Sequence, residues 1–247
     1  MSGSADDAVA KAAYEEWHRQ LDVDAEANAP WHLLVREYLD VSRDLVDKRV
    51  LEIGCGRGGF SCWLSGQGGP TADIVAADFS STAVEKGAAF AAQRGIIGVT
   101  WEVGDIQRIA HASESFDTVI SCETIEHVPD PALAVRELAR VLRPGGRLFL
   151  TTPNYLGTTG LYRGYLRMTG RRFREEGQPI NNFNMLPRTI RWVKRAGLRV
   201  RTITGSGHYV QIPGRNPVRL RAMDRARFLT RWAALHSFVL AQKPTET

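Results

Sequence analysis

Between Arg49 and Thr152, short apolar runs alternate with amphipathic stretches at helical spacing, and this alternation constrains the chain more than any other feature. RVLEIG reads as a buried strand, followed by a helix from about Gly58 to Ser65. DIVAAD (73–78) is a second strand, with a helix running from Ser80 or Ser81 to Arg94 behind it. GVTWEV and FDTVISC (116–122) supply a third and a fourth. PALAVRELARVL is an amphipathic helix, begun by the turn Pro129-Asp130-Pro131 and closed by Pro144-Gly145-Gly146, and RLFLTT (147–152) is a fifth strand. Strands separated by helices need crossover connections, which run the strands parallel and place helices on both faces of the sheet.

The flanks follow a different rhythm. Residues 5–20 and roughly 31–46 have helical spacing, the second through Leu33, Leu34, Tyr38, Leu39 and Leu45. After Thr152 comes a long basic excursion, then a helix started by Pro187, a sixth strand LRVRTITG, a second excursion and a final strand HSFVLAQKP. Structureless loops of that length are uncommon in a compact domain, so both excursions are expected to contain helices and to act as a lid. The expectation is one domain over 1–247: N-terminal helices (1–48), a ligand-binding core (49–152), and lid insertions at 153–184 and 205–235.

Composition excludes several classes. The 247 residues are 43% hydrophobic and 24% charged, which is globular and neither disordered nor fibrous. No apolar run approaches the ~20 residues of a membrane span. The acidic, helical N-terminus has no signal-peptide pattern, and Cys55, Cys62 and Cys122 follow no zinc-like spacing, so a reduced cytoplasmic setting is expected. The net charge of +5 hides a step. Residues 1–159 carry 14 Lys/Arg against 23 Asp/Glu, whereas residues 160–231 carry 17 against 3. A basic face of this kind suits an anionic partner, or is simply solvated.

The chemistry starts at Gly54-Cys55-Gly56-Arg57-Gly58-Gly59, on a strand-to-helix turn where glycines permit positive φ and close ligand approach. GxGxxG alone is a weak dinucleotide signal. Glu52, inside the strand, would repel a pyrophosphate and suits a cofactor bearing an ammonium or sulfonium group. Asp78, ending the next strand, is placed for a ribose. The ordered set ExGxGxG (Glu52–Gly58), Asp78, Gly104-Asp105-Ile106, FDTVISCETIEHVPDP and RVLRPGGRLFLTTPN resembles the class I S-adenosylmethionine-dependent methyltransferases over residues 49–154. A nicotinamide cofactor would explain the glycine loop and Asp78 but not the later motifs.

That resemblance implies an α/β fold, a doubly wound, mostly parallel, seven-stranded Rossmann-like sheet with N-terminal helices and a helical lid. It implies S-adenosyl-L-methionine as cofactor. Glu52, Gly54, Cys55, Gly56 and Gly58 would hold its methionine part, Asp78 its ribose, and Phe79, Asp105 and Ile106 its adenine, with Cys122 at the crevice end of strand four. For Phe79 and Ile106 a plain core role is the alternative. Trp17, Trp31 and His32 either close over the cofactor or only pack.

Glu123-Thr124-Ile125-Glu126-His127 is similar to the ubiquinone-biosynthesis O-methyltransferases. That similarity implies a divalent metal on Glu123, Glu126 and His127; alternatively the string only caps the next helix. His127 is also a candidate general base, and His208, in a segment similar to the same family, a second. The expected reaction is methylation of a hydroxyl on a small molecule, such as a sugar or glycolipid, a polyketide-like phenol or a quinone precursor. The absence of a [DN]PP[YFW] motif after strand four counts against nucleic-acid bases. An RNA-directed methyltransferase or RNA-binding module using the basic cap, and peripheral contact of that cap with an anionic membrane, are the other readings. Asn154 contacts substrate or makes the turn; Tyr162, Arg163 and Arg188 are the lid residues expected to reach an acceptor, and Arg221 and Arg225 are expected to face outward.

Overall fold

A computed structural model describes residues 3–170, 180, 182–210 and 218–245. The excursion residues at 171–179, 181 and 211–217 lie outside the described residues. Five contiguous parallel strands build the sheet from one edge: β1 (Arg49–Ile53), β2 (Asp73–Asp78), β3 (Val99–Val103), β4 (Phe116–Cys122) and β5 (Leu142–Pro153). β6 (Arg199–Ser206) follows, then a small ribbon of β7 (Tyr209–Val210) and β8 (Val218–Arg219), then β9 (His236–Gln242). The order across the large sheet is β3-β2-β1-β4-β5-β9-β6. Only β9 is antiparallel, inserted between β5 and β6.

Ten α-helices are seen among the described residues. α1 (Gly3–Gln20), α2 (Pro30–Tyr38) and α3 (Val41–Asp44) precede the sheet; α4 (Gly59–Gly68), α5 (Ser81–Gln93) and α6 (Pro131–Val141) connect its parallel strands. α7 (Thr158–Met168), α8 (Leu186–Arg195), α9 (Arg221–Arg225) and α10 (Arg227–Thr230) complete the set. Helices do occupy both excursions. The single helix expected over 31–46 is two, because Leu39 is extended and Asp40 starts α3 by accepting from the Arg43 amide. The fifth strand is longer than expected, since Leu142 already pairs with Phe116.

Strand residues alternate between two cores, as the pleat requires. Leu51, Val119, Leu148, Leu150 and Val239 face α6 and α8; Val50, Ile120, Phe149, Phe238 and Leu240 face α2 and α4. A buried ion pair from Arg147 of β5 to Asp44 fixes α3 against the sheet. Among the described residues no helix is long and apolar enough to cross a membrane. Because β1, β2, β4 and β5 run parallel, their carboxyl ends meet at one edge, and β9 starts at that same edge. A crevice there is the natural ligand site of an open α/β sheet.

Candidate functional site

At the end of β1 the backbone turns through Gly54, Gly56 and Gly58, with φ of +78°, +53° and +74°. These angles favour glycine, and two of the positions also have no room for a side chain. A Cβ on Gly54 would come within 2.0 Å of Thr124, and one on Gly58 within 2.1 Å of the Trp101 ring. The turn is tied to β2: the amides of Gly54 and Cys55 both donate to the Ala77 carbonyl (2.9 and 3.0 Å), and that of Gly56 to Asp78 Oδ2 (2.8 Å). Asp78 Oδ1 accepts from the Ser80 amide (3.0 Å), so its carboxylate is fixed from both sides.

This turn forms one end of a cavity of about 790 Å³. Gly54, Cys55, Gly56, Gly58, Asp78, Phe79, Asp105, Ile106 and Cys122 all line it, as do Trp17, Trp31 and His32. Ile106 is buried, whereas Phe79 is 38% exposed, with Lys11 Nζ over its ring at 5.3 Å. Glu123, Glu126 and His127 line the middle, and Pro153, Tyr155, Thr159, Ile180 and Leu235 the far end.

Glu52 corrects the sequence reading. It does not line the cavity; it is buried beneath the turn, against the Ser61 hydroxyl of α4. Burial pushes its carboxyl up to about 8, Ser61 opposes this and Asp78 adds to it, so Glu52 is largely uncharged at neutral pH. The negative charge facing the cavity comes instead from Asp78, Asp105, Glu123 and neighbouring carboxylates.

The metal cluster implied by resemblance is not assembled. Among the described residues no three His, Cys, Asp or Glu side chains stand together as metal ligands. Glu123 turns to His236 (Oε2 to Nδ1, 3.1 Å), Glu126 accepts from Thr152 (3.0 Å), and His127 Nδ1 lies 2.8 Å from the Ile180 carbonyl. His208 is not brought to the site either. It is buried outside the cavity, its two ring nitrogens 2.8 Å from Asp224 and 3.0 Å from the Thr230 carbonyl. Asn154 makes the turn: its amide nitrogen donates to the Trp232 and Ala234 carbonyls, and its oxygen accepts from the amides of Leu156 and Leu186. Tyr162, Arg163 and Arg188 do not line the cavity. Arg163 instead stacks behind Tyr155 (4.2 Å), and Arg188 over Trp192 (4.9 Å).

Several wall residues carried no sequence signal. His18 and Asp24, from α1 and the segment behind it, stand at the cofactor end, whereas Tyr14 of α1 reaches across to the far end, its hydroxyl donating to the Ile180 carbonyl (3.4 Å). His18 Nε2 lies 3.9 Å from Asp78; burial, opposed by Asp78 and aided by Arg57, lowers its pKa. α1 is held down by Glu15, whose carboxylate accepts from the amides of Ser81 and Thr82 (both 2.9 Å) and the Ser80 hydroxyl (2.7 Å). Against an opposing effect of burial, these side-chain and backbone bonds bring Glu15 down to about 2. His236 arrives only because β9 is antiparallel; a parallel last strand would put it at the opposite edge.

The wall fits a nucleoside sulfonium cofactor on its own chemistry. A turn of positive-φ glycines lining the cavity, a carboxylate at Asp78 fixed by the Gly56 and Ser80 amides, and the partly exposed Phe79 ring follow one another along a wall rich in carboxyl groups. Comparison with known proteins agrees. A family described as a methyltransferase domain matches residues 51–150. The chain is 30% identical over 199 residues to a ubiquinone biosynthesis O-methyltransferase of Xanthomonas euvesicatoria pv. vesicatoria, covering 78% of this chain and 79% of that protein. It is 30% identical over 219 residues to methyltransferase GfsG of Streptomyces halstedii, covering 85% and 73%. A crystal structure of a SAM-dependent methyltransferase from Aquifex aeolicus superposes with a TM-score of 0.62 at 16% identity, covering 92% and 97% of the two chains. The chain belongs to the class I S-adenosylmethionine-dependent methyltransferases.

Proposed function

We propose that the protein methylates a hydroxyl oxygen of a small molecule, a sugar or glycolipid, a polyketide-like phenol or a quinone precursor. The observation that carries this reading is the single cavity joining two unlike ends. The first holds Gly54–Gly58, Asp78 and Phe79; the second has an apolar and aromatic wall of Pro153, Tyr155 and Leu235, with Trp31 beside His236. Its volume is that of small-molecule sites, roughly 300–1,000 Å³. Similarity to the O-methyltransferase relative supports an oxygen acceptor. The two excursions act as the acceptor side of the site, the first through Pro153, Tyr155, Thr159 and Ile180, the second through Leu235.

S-adenosylmethionine, when bound, supplies a methyl group made transferable by the sulfonium charge. The residues of the chain hold the reaction. The glycine turn and Asp78 fix the cofactor end, while the aromatic wall orients the acceptor oxygen in line with the methyl group. Rate enhancement comes mainly from that proximity. The acidic wall favours a cationic cofactor over its neutral product, which assists release.

The test is methyl transfer from S-[methyl-¹⁴C]adenosylmethionine to catechol, 3,4-dihydroxybenzoate and octyl glucoside, with bulk RNA as the competing acceptor. Label is expected in a methyl ether of at least one hydroxylated probe, undiminished by excess EDTA. Label in RNA and in none of the three probes overturns the reading.

A further inference from the structure

Four imidazoles line the cavity, and their surroundings separate their capacities. His18 lies at the cofactor end between Asp78 and Arg57. His32 is stacked face to face on Phe60 (4.5 Å, 5°), and burial lowers it to about 4, with Asp24 opposing. His127 has Nδ1 on the Ile180 carbonyl and Nε2 3.5 Å from Glu126. His236 differs: Nδ1 is 3.1 Å from Glu123 Oε2, and Nε2 makes no hydrogen bond among the described residues.

The pair is a built arrangement. Both side chains are 13% exposed and line the cavity beyond the ends of β4 and β5. Glu123 is a non-glycine residue at φ +48°, and such conformations persist only where the surroundings enforce them. They do so here, since its amide donates to both the carbonyl and the hydroxyl of Thr151. Its Oε1 is buried without a hydrogen-bond partner, so the carboxylate is committed to the imidazole through Oε2 alone. The His236 ring is confined on one side by Trp31, 5.4 Å away. Gly207, at φ +78°, also packs close to it: a Cβ there would lie 3.1 Å from the ring.

We propose that His236 takes the proton of the acceptor hydroxyl, with Glu123 as its positioning residue. The inference rests on the O-methylation reading and adds the residues that perform it. With Glu123 accepting from Nδ1–H, Nε2 carries the lone pair. The acceptor O–H bond breaks with its proton passing to Nε2. The oxygen's electron pair forms the O–CH₃ bond, and the C–S bond breaks with its pair returning to sulfur. The imidazolium then gives its proton to water, and no oxidant or further reactant is required.

Three variants test this with whichever of the three hydroxylated probes the wild type methylates. His236→Asn retains a donor for Glu123 but has no lone pair at the Nε2 position, and kcat should fall by about 10²–10⁴-fold with affinity for S-adenosylhomocysteine unchanged. His236→Ala should regain rate when free imidazole is added, which a merely structural histidine would not show. Glu123→Gln should lower kcat more than it raises KM. Methylation by the wild type together with an undiminished rate in His236→Asn overturns the inference and leaves O-methylation standing. Loss of wild-type turnover in EDTA also overturns it, by making Glu123 a metal ligand. Label in RNA and in none of the three probes with the wild type removes the O-methylation reading itself, and the proposed roles fall with it. Should His236→Asn fail to fold, the Glu123→Gln result and imidazole rescue of His236→Ala decide.

Discussion

Glu52 holds its proton where a solvent-facing carboxyl would lose it, and the consequence is a measurable pH dependence. Its pKa in the folded protein is raised from 4.5 to about 8 by burial. Below 4.5 the folded and unfolded chains are both protonated there and pH does not distinguish them. As pH rises further, the unfolded chain ionises while the folded one stays neutral, and stability falls until the folded group ionises near 8. Glu52→Gln has nothing to ionise. Thermal unfolding of the cofactor-free protein across this range should show the wild type losing stability relative to Glu52→Gln as pH rises. A constant difference would mean that Glu52 ionises freely. The motif in the sequence correctly placed an acid before the glycine turn, but whether that acid faces the ligand depends on Ser61, nine residues on, a packing detail no motif encodes. Asp78, by contrast, was legible in place and orientation, because the last residue of a parallel strand faces the crevice by geometry.

The same limit operates on whole elements. The helical spacing of residues 5–20 is plain, and α1 forms there, but nothing in the spacing says what α1 touches. Its docking depends on Glu15 meeting the start of α5, an acid placed at the positive end of a second helix, and on Lys86 donating to the carbonyls of Arg19 and Leu21 (both 2.8 Å). Glu15→Gln keeps the size of the side chain and loses its charge, at a cost of about 1 kcal/mol, typical of a lost cap. Hydrogen exchange over 3–29 should quicken, and S-adenosylhomocysteine should bind severalfold more weakly, since Tyr14, Trp17 and His18 reach the cavity only when α1 is seated. Unchanged exchange would show that Lys86 and the aromatic contacts suffice. Strand and helix identities in 49–152 were legible because their periodicity is strong; the break at Leu39 was not, because a leucine disturbs no apolar pattern.

Across the whole molecule, the charge step resolves into position. Arg167, Arg188, Arg191, Lys194, Arg221 and Arg225 are exposed, while the acidic half supplies the carboxylates of the cavity. Composition revealed the asymmetry but not this inside–outside division, which only the folded surface defines. The sheet was legible as seven mostly parallel strands; its order was not, since the place of β9 depends on pairings far apart in sequence. A chain ending at Leu235 would leave facing edges of β5 and β6 unpaired, and exposed edges invite aggregation. Such a truncation should be found largely in the insoluble fraction, with solubility returning when residues 236–245 are supplied as a peptide; a soluble monomer would show that the seam closes without β9. The insertion of β9 also sets a timetable for biosynthesis. Ribosomes add roughly 5–20 residues per second, so β6 waits through the making of residues 207–235 before its neighbour exists. The emerging polypeptide thus carries an open seam for seconds, and the stage at which it most needs shelter from other nascent chains is the stage just before the cavity receives its last wall.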